Sequence, residues 1–350
     1  MNQERQKYKL QQPFTTESGF EFSDSVVTYQ YWGTLNEARD NVILVCHALT
    51  GNTSADEWFG GLFGTGRVLD PDKHFIICPN ALGSCYGTTG PTSENPGTGQ
   101  PYRADFPIVT IRDMVRLQQR LLDELDITGI ELVIGGSMGG MQALEWCLMD
   151  DRPKSAALLG MGKEHRPWAI GISHTQRQAI YNDPNWQNGY YSKNSQPEKG
   201  LALARMIAMN SYRHPFDFDE KFSRCLQDGS NQFEVESYLN YQGQKLVERF
   251  DAVSYVRLTQ AMDSHDIARG RPNYKQLIQQ LDIPVTVVGI NSDMLYLREE
   301  CQELADELPH GTYKEIDSPH GHDAFLIEFD QLNNILESLK PEFPERPIKS

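Results

Sequence analysis

Apolar residues along this 350-residue chain fall into two rhythms, and their alternation predicts the architecture. NVILVCHA (41–48), HFIICPN (74–80), SAALLG (155–160) and PVTVVGIN (284–291) are short, continuous apolar runs, as strands buried on both faces require. ELVIGG (131–136) and TYKEID (312–317) complete the strand series. Between them runs a different period. TIRDMVRLQQRLLDELDI (110–127) sets Met114, Leu117, Leu121, Leu122 and Leu125 at steps of three and four, which predicts an amphipathic helix. Further helices are predicted from Met138, over YLREECQELADEL (296–308) and over HDAFLIEFDQLNNILESL (322–339). GFEFSDSVVTYQYWG (19–33), rich in β-branched and aromatic residues, reads as early antiparallel strands.

The middle of the chain breaks this alternation. Residues 161–282 follow a helical pattern interrupted by turn-rich pieces such as NDPNWQNGYYSKNSQPEKG (182–200), with no convincing buried strand. The expected fold class is therefore α/β: a mostly parallel sheet flanked by helices, with a helical lid inserted before the last strands. Residues 1–160 and 283–350 would form the core and 161–282 the lid. The tail PEFPERPIKS, proline-rich and charged, is expected to be loosely held.

Composition narrows the partners. The formal net charge of −16 argues against nucleic acid or an anionic membrane surface as the main partner. No apolar run approaches the ~18–20 residues that cross a bilayer, and MNQERQKYKLQQPF lacks the apolar region of a secretory signal, so a cytoplasmic protein is expected. Six cysteines without a CxxC pair fit neither a zinc ribbon nor a disulfide framework. Cys46, Cys78 and Cys147 lie in apolar stretches and read as buried thiols.

The candidate chemistry sits in GGSMG (135–139), where glycines crowd Ser137 between a strand and a helix. The pattern is that of a nucleophile elbow, which holds a serine in a sparsely populated backbone conformation and aims a helix N-terminus at the reacting centre. On this reading the glycines support a reactive hydroxyl rather than acting as packing spacers. Such an elbow calls for an acid and then a histidine, each just past a later strand. Asp293 in GINSDMLYL and His322 in SPHGHDAFL occupy those places. His320 competes with His322; Gly321 beside His322 favours the latter as base, leaving His320 as a neighbour or a surface residue. HGHD also resembles a metal cluster. No further His/Asp pair sits at ligand spacing, and a metal would take the base from Ser137, so none is expected. The oxyanion donors should be the N–H of Met138 and that of Leu49, in the loop VCHALTGN. His47 comes too early for the Ser–Asp–His order and reads as structural.

These motifs, together with NALGSCYGTTGPTSENPGTGQPYRADFPIVTIRDMV (80–115), GGSMGGMQALEW (135–146), QRQAIYNDPNWQNGYY (176–191), LALARMIAMNSYR (201–213), NYQGQKLVERFDAVSY (240–255) and GHDAFL (321–326), run nearly end to end. The chain resembles the homoserine O-acetyltransferases, an acyltransferase branch of the α/β-hydrolase fold. The resemblance implies a ping-pong reaction in which Ser137, with His322 and Asp293, takes an acetyl group from acetyl-CoA and passes it to the hydroxyl of L-homoserine, in methionine biosynthesis. It also implies that Arg205, Tyr212 and Asp323 bind homoserine, that no cofactor is held permanently, and that the protein is a homodimer; the lid's aromatic-rich helices suggest the dimer surface, with a monomer carrying a capped pocket as the alternative. A guanidinium for the carboxylate and a carboxylate for the ammonium suit a zwitterionic acceptor.

Two features depart from the family pattern. His320 stands where relatives often carry an aromatic or small residue. MGKEHRPWAIG (161–171) is unusually charged, so that Lys163, His165 and Arg166 could meet CoA phosphates. An extra cation there would also suit succinyl-CoA, which leaves a succinyltransferase as one alternative. A plain hydrolase on the same fold is another, since water competes for any acyl-serine unless a lid excludes it.

Overall fold

The computed structural model describes residues 4–337. Eight strands form the central sheet: β1 (Gln6–Lys9), β2 (Val26–Trp32), β3 (Val42–Cys46), β4 (Phe75–Pro79), β5 (Ile130–Gly136), β6 (Ala156–Leu159), β7 (Val285–Ile290) and β8 (Gly311–Ile316). Their spatial order is β1-β2-β4-β3-β5-β6-β7-β8. The β1–β2 and β2–β4 pairs are antiparallel and every later pair is parallel.

The continuous apolar runs arise because both faces are covered. Along β3, Val42, Leu44 and Cys46 enter one core cluster while Ile43 and Val45 enter another, on the opposite face. Helix α1 (Ile111–Glu124) buries Met114, Leu117, Leu121 and Leu122, and its start is fixed by a capping box between Thr110 and Asp113. Leu125 closes the helix half-buried. Helix α2 (Met138–Met149) follows β5 directly and is buried almost throughout.

Between β6 and β7 the chain forms six α-helices among the described residues: α3 (Pro167–Tyr181), α4 (Glu198–Tyr212), α5 (Pro215–Phe222), α6 (Glu234–Val247), α7 (Ala252–Asp263) and α8 (Tyr274–Gln279). Helix α4 packs most extensively on α3 and α6. Helix α9 (Arg298–Glu307) follows β7. The single helix expected over 322–339 is instead a 3₁₀ segment, Gly321–Leu326, followed by α10 (Phe329–Glu337). The break lets the chain turn His322 toward β7 before the last helix packs on the sheet. Residues 338 and 339 and the PEFPERPIKS tail lie outside the described residues.

Candidate active site

Ser137 is the single residue between β5 and α2, with φ 55° and ψ −125°. A non-glycine residue there stores strain of about 1–3 kcal/mol. Its N–H donates to the Leu159 carbonyl at 2.8 Å, and its own carbonyl accepts from Met141 N–H at 3.1 Å. None of the four surrounding glycines has a positive φ. What they supply is space. A Cβ at Gly139 would stand 2.1 Å from the Cys46 carbonyl oxygen, and one at Gly135 would stand 2.3 Å from that of Gly139. At Gly136 it would strike the Phe325 ring at 2.4 Å, and at Gly140 the Met161 Cγ at 2.6 Å. The contrast drawn from sequence between support and packing therefore dissolves. The glycines pack, and the serine alone carries the unusual backbone.

Asp293 follows β7, and its Oδ1 accepts the N–H groups of Leu295 and Tyr296 at 2.8 and 3.0 Å. Its Oδ2 accepts from His322 Nδ1 at 2.7 Å. The His322 imidazole is enclosed by the rings of Tyr212, Tyr296 and Phe325 at centroid distances of 5.6, 5.4 and 5.4 Å. Gly160, at the end of β6, faces it: a Cβ there would lie 3.3 Å from His322 Cε1. Burial lowers the imidazole's pKa, but the Asp293 charge, its hydrogen bond and the Asp323 charge outweigh burial and hold it above the usual value. The other ring nitrogen, Nε2, is buried and has no hydrogen-bond partner among the described residues. It therefore makes no hydrogen bond to the Ser137 hydroxyl here; contacts of this kind often tighten only when substrate is held. His320 faces away from this pair, with Nδ1 2.7 Å from Asp217 Oδ1.

The profile of the alpha/beta hydrolase fold matches residues 41–329. A homoserine O-acetyltransferase of Chlorobium chlorochromatii (strain CaD3) is 51% identical over 332 residues, covering 94% of this chain and 93% of that protein. The chain belongs to the homoserine O-acetyltransferase family. Among solved structures, the homoserine O-acetyltransferase from Bacillus anthracis superposes with a TM-score of 0.88 at 26% identity, over 97% of this chain and 98% of that one. Esterase E22 superposes with a TM-score of 0.87 at 26% identity, over 96% and 99%. Backbone shape therefore does not separate acyl transfer from hydrolysis, and the side chains over the site must be read for that.

Measured against the homoserine O-acetyltransferase expectations, Leu49 lies buried in the loop leaving β3, and Met138 opens α2, where a first-turn N–H has no intrahelical acceptor. Arg205 and Tyr212 both lie on α4, with the guanidinium carbon 5.6 Å from the Tyr212 ring centroid. Arg205 has no carboxylate partner among the described residues. Burial raises the Tyr212 phenol to about 12, with the Arg205 charge opposing and the Asp323 charge adding. Asp323 already has a neighbour: Arg213 Nε stands 3.2 Å from its Oδ2 without an aligned hydrogen bond. Arg213 also reaches Asp217 at 3.5 Å, so a chain of polar contacts runs from Asp323 through Arg213 and Asp217 to His320.

Sequence reasoning missed Arg213, although it follows Tyr212 directly, because its partner Asp323 is distant in sequence. It also missed Tyr296, whose ring packs on His322 and whose hydroxyl lies 2.7 Å from His165 Nδ1. The cations proposed for CoA phosphates are otherwise engaged. Lys163 pairs with Glu303 and Glu307, Arg166 with Glu303, and His165 is buried, with its pKa lowered to about 3, chiefly by burial. Among the described residues no group of three or more His, Cys, Asp or Glu side chains could hold a metal, and no helix is long and apolar enough to cross a membrane.

Proposed function

We propose that this chain transfers an acetyl group from acetyl-CoA to the side-chain hydroxyl of L-homoserine, through an acetyl-Ser137 intermediate, in methionine biosynthesis. His322 Nε2 takes the Ser137 proton as Oγ attacks the thioester carbonyl. The N–H groups of Leu49 and Met138 receive the tetrahedral oxyanion. Collapse expels CoA as its thiol, which takes the proton from His322. The homoserine hydroxyl then enters, gives its proton to the same nitrogen and attacks the acyl-serine, and the ester leaves as Ser137 regains its proton. Asp293 holds the ring with Nδ1 protonated and stabilises the imidazolium that forms twice per cycle.

One observation carries the reading toward transfer. The His322 ring, whose Nε2 has no hydrogen-bond partner among the described residues, packs 5.6 Å from the Tyr212 ring, and the guanidinium of Arg205, with no carboxylate partner among the described residues, lies 5.6 Å from that same ring. A carboxylate-seeking cation one ring away from the base suits an amino-acid acceptor, and plain hydrolysis has no use for it. Asp323 takes the ammonium; Arg213 meets that carboxylate off-axis, which leaves it lone pairs to offer. Incubation with acetyl-CoA or succinyl-CoA, and with homoserine or serine, followed by mass analysis of the ester, tests the assignment. Acetylhomoserine is expected. CoA release equally fast with and without homoserine would replace transfer by hydrolysis, and Ser137→Ala retaining transfer would overturn the nucleophile.

The reading includes a homodimer through the lid, supported by Leu203, Phe216, Leu226 and Tyr241 exposed on and between its helices. Sedimentation as a monomer at micromolar concentration would overturn it. A cytoplasmic site of action is supported by six free cysteines.

A further inference from the structure

His47, the first residue after β3, is 1% exposed, and its hydrogen bonds fix its tautomer. The Ala81 backbone N–H, which can only donate, lies 3.0 Å from Nε2, so that nitrogen is the acceptor. Nδ1 therefore carries the proton and donates it to the Ala48 carbonyl at 2.9 Å. Asn80 Oδ1 also lies 3.0 Å from Nε2, with Nδ2 buried and unpartnered. Turning that amide over satisfies Nδ2 and agrees with the same tautomer. Burial lowers the His47 pKa, which keeps the ring neutral and able to serve both contacts.

The Ala48 carbonyl belongs to the same planar peptide as the Leu49 N–H, so whatever grips one aims the other. That carbonyl also accepts the Gly51 N–H at 2.8 Å. Two donors on one peptide oxygen polarise the amide and strengthen its N–H as a donor. A second tie starts from the other half of the site. Gln142, buried on α2, donates through Nε2 to the carbonyls of both Met138 and His47, at 3.2 and 3.3 Å. Its Oε1 accepts from Gln118 Nε2 at 2.8 Å, and Gln118 Oε1 accepts from Trp146 Nε1 at 2.8 Å. A chain of buried hydrogen bonds thus links the loop bearing Leu49 to the helix bearing Met138.

We propose that His47 is a positioning residue for acyl transfer: through the Ala48–Leu49 peptide it orients and polarises the Leu49 N–H, and Gln142 sets that donor's distance from the Met138 N–H. This rests on the reading of Leu49 and Met138 as the oxyanion donors. It separates His47 from a histidine that only fills its buried site, because a filler would act through Ala81 and Asn80 and not through Ala48.

Two isosteric variants divide those roles. In His47→Asn the side-chain amide nitrogen falls where Nδ1 was and keeps the donation to Ala48. In His47→Gln the amide falls where Nε2 was, keeping the Ala81 side and losing Ala48. Stopped-flow CoA release measures acylation, and acetylhomoserine formation from the isolated acetyl-enzyme measures deacylation. Loss of one oxyanion donor costs about 10²–10³ in rate, so a donor merely misaimed in His47→Gln should slow both half-reactions by a similar factor of about 30, with homoserine KM within about 3-fold, while His47→Asn stays within about 5-fold of wild type. Folding of each variant is checked by its thermal transition. His47→Gln at wild-type rates, His47→Asn folded yet as slow as His47→Gln, or slowing of one half-reaction alone would each overturn the inference. Leu49→Pro, which deletes the N–H, tests the underlying reading. If folded Leu49→Pro retains both rates, the oxyanion assignment fails; if it loses them while His47→Gln does not, only the role of His47 fails.

Discussion

Replacing Gly139 by alanine tests whether the site depends on the close approach of two backbones. The added methyl would stand 2.1 Å from the Cys46 carbonyl oxygen, 2.8 Å from its carbon and 3.1 Å from the His47 carbonyl carbon. All three are main-chain atoms, so no side chain can swing aside. The end of β3 and the first turn of α2 must part by about 1 Å before the shortest contact reaches 3.0 Å, the limit for real methyl groups. That movement separates the loop carrying Leu49 from the helix carrying Met138. A misplacement of about 1 Å costs on the order of 100-fold in rate, and overpacking of this kind costs about 1–3 kcal/mol of stability. The expected outcome is a ~100-fold fall in both acylation and deacylation, with a lowered urea midpoint. Gly171 serves as the control. It lies exposed within α3, and a methyl added there would meet nothing within 4 Å, so Gly171→Ala should leave the rates alone and add up to ~1 kcal/mol of stability. Gly139→Ala within about 3-fold of wild type and equally stable would refute the view that these backbones are in necessary contact.

Other perturbations test separate parts of the site. Asp323→Asn removes a negative charge that raises the His322 pKa, and the reaction needs neutral His322. The acid limb of the acylation rate should therefore move to lower pH; a limb that stays or moves up contradicts the assignment. Arg205→Leu should raise homoserine KM by about 10–100-fold, the range for a lost charge-assisted hydrogen bond, while acylation by acetyl-CoA changes little. Slowed acylation with an unchanged homoserine KM would place Arg205 elsewhere. Glu145→Ala leaves the guanidinium groups of Arg112 and Arg271 without their buried carboxylate, which they meet at 3.0 and 2.6 Å, and should cost about 3–5 kcal/mol in urea unfolding. A loss of under about 1 kcal/mol would mean the pair is solvated.

Much of the core was legible because its strands are buried on both faces, and a run such as VILVC has no other economical explanation. The edge was not. β1 reads QKYK, mostly exposed and charged, and pairs only with β2, so it carries no apolar signature. The expected strands over 19–33 reduce to Val26–Trp32 in the main sheet and a two-residue pair, Glu21–Phe22 with Phe14–Thr15. Periodicity also ran one helix through 322–339, because steps of three and four do not distinguish a 3₁₀ segment from the α-helix that follows. Ser137, Asp293 and His322 could be named because each lies just past a strand, where the topology fixes position. Arg213, Tyr296 and Gln142 act across elements, through contacts that no local pattern encodes.

The same distinction bears on how one backbone serves both an esterase and a member of this family. An acyl-serine in contact with water hydrolyses, so transfer depends on a roof that stays closed. Here the roof shares a buried apolar cluster with the core, and guanidinium groups gripping carbonyl oxygens add directional ties. Arg112 of the core reaches the carbonyls of Arg269 and Asp266 at 2.7 and 3.1 Å. From the lid, Arg257 reaches those of Phe106 and Ala104, both at 2.8 Å. At the mouth, Arg249 donates to the Thr50 carbonyl at 2.7 Å, beside the loop that bears Leu49. A planar fork holding main-chain oxygens on the facing surface fixes orientation as well as distance. The lid thus contacts the loop that bears Leu49, and it carries Arg205 and Tyr212, the latter packed on the His322 ring. Preorganisation of that kind favours a bound hydroxyl over a passing water, because the acceptor meets its partners without moving them.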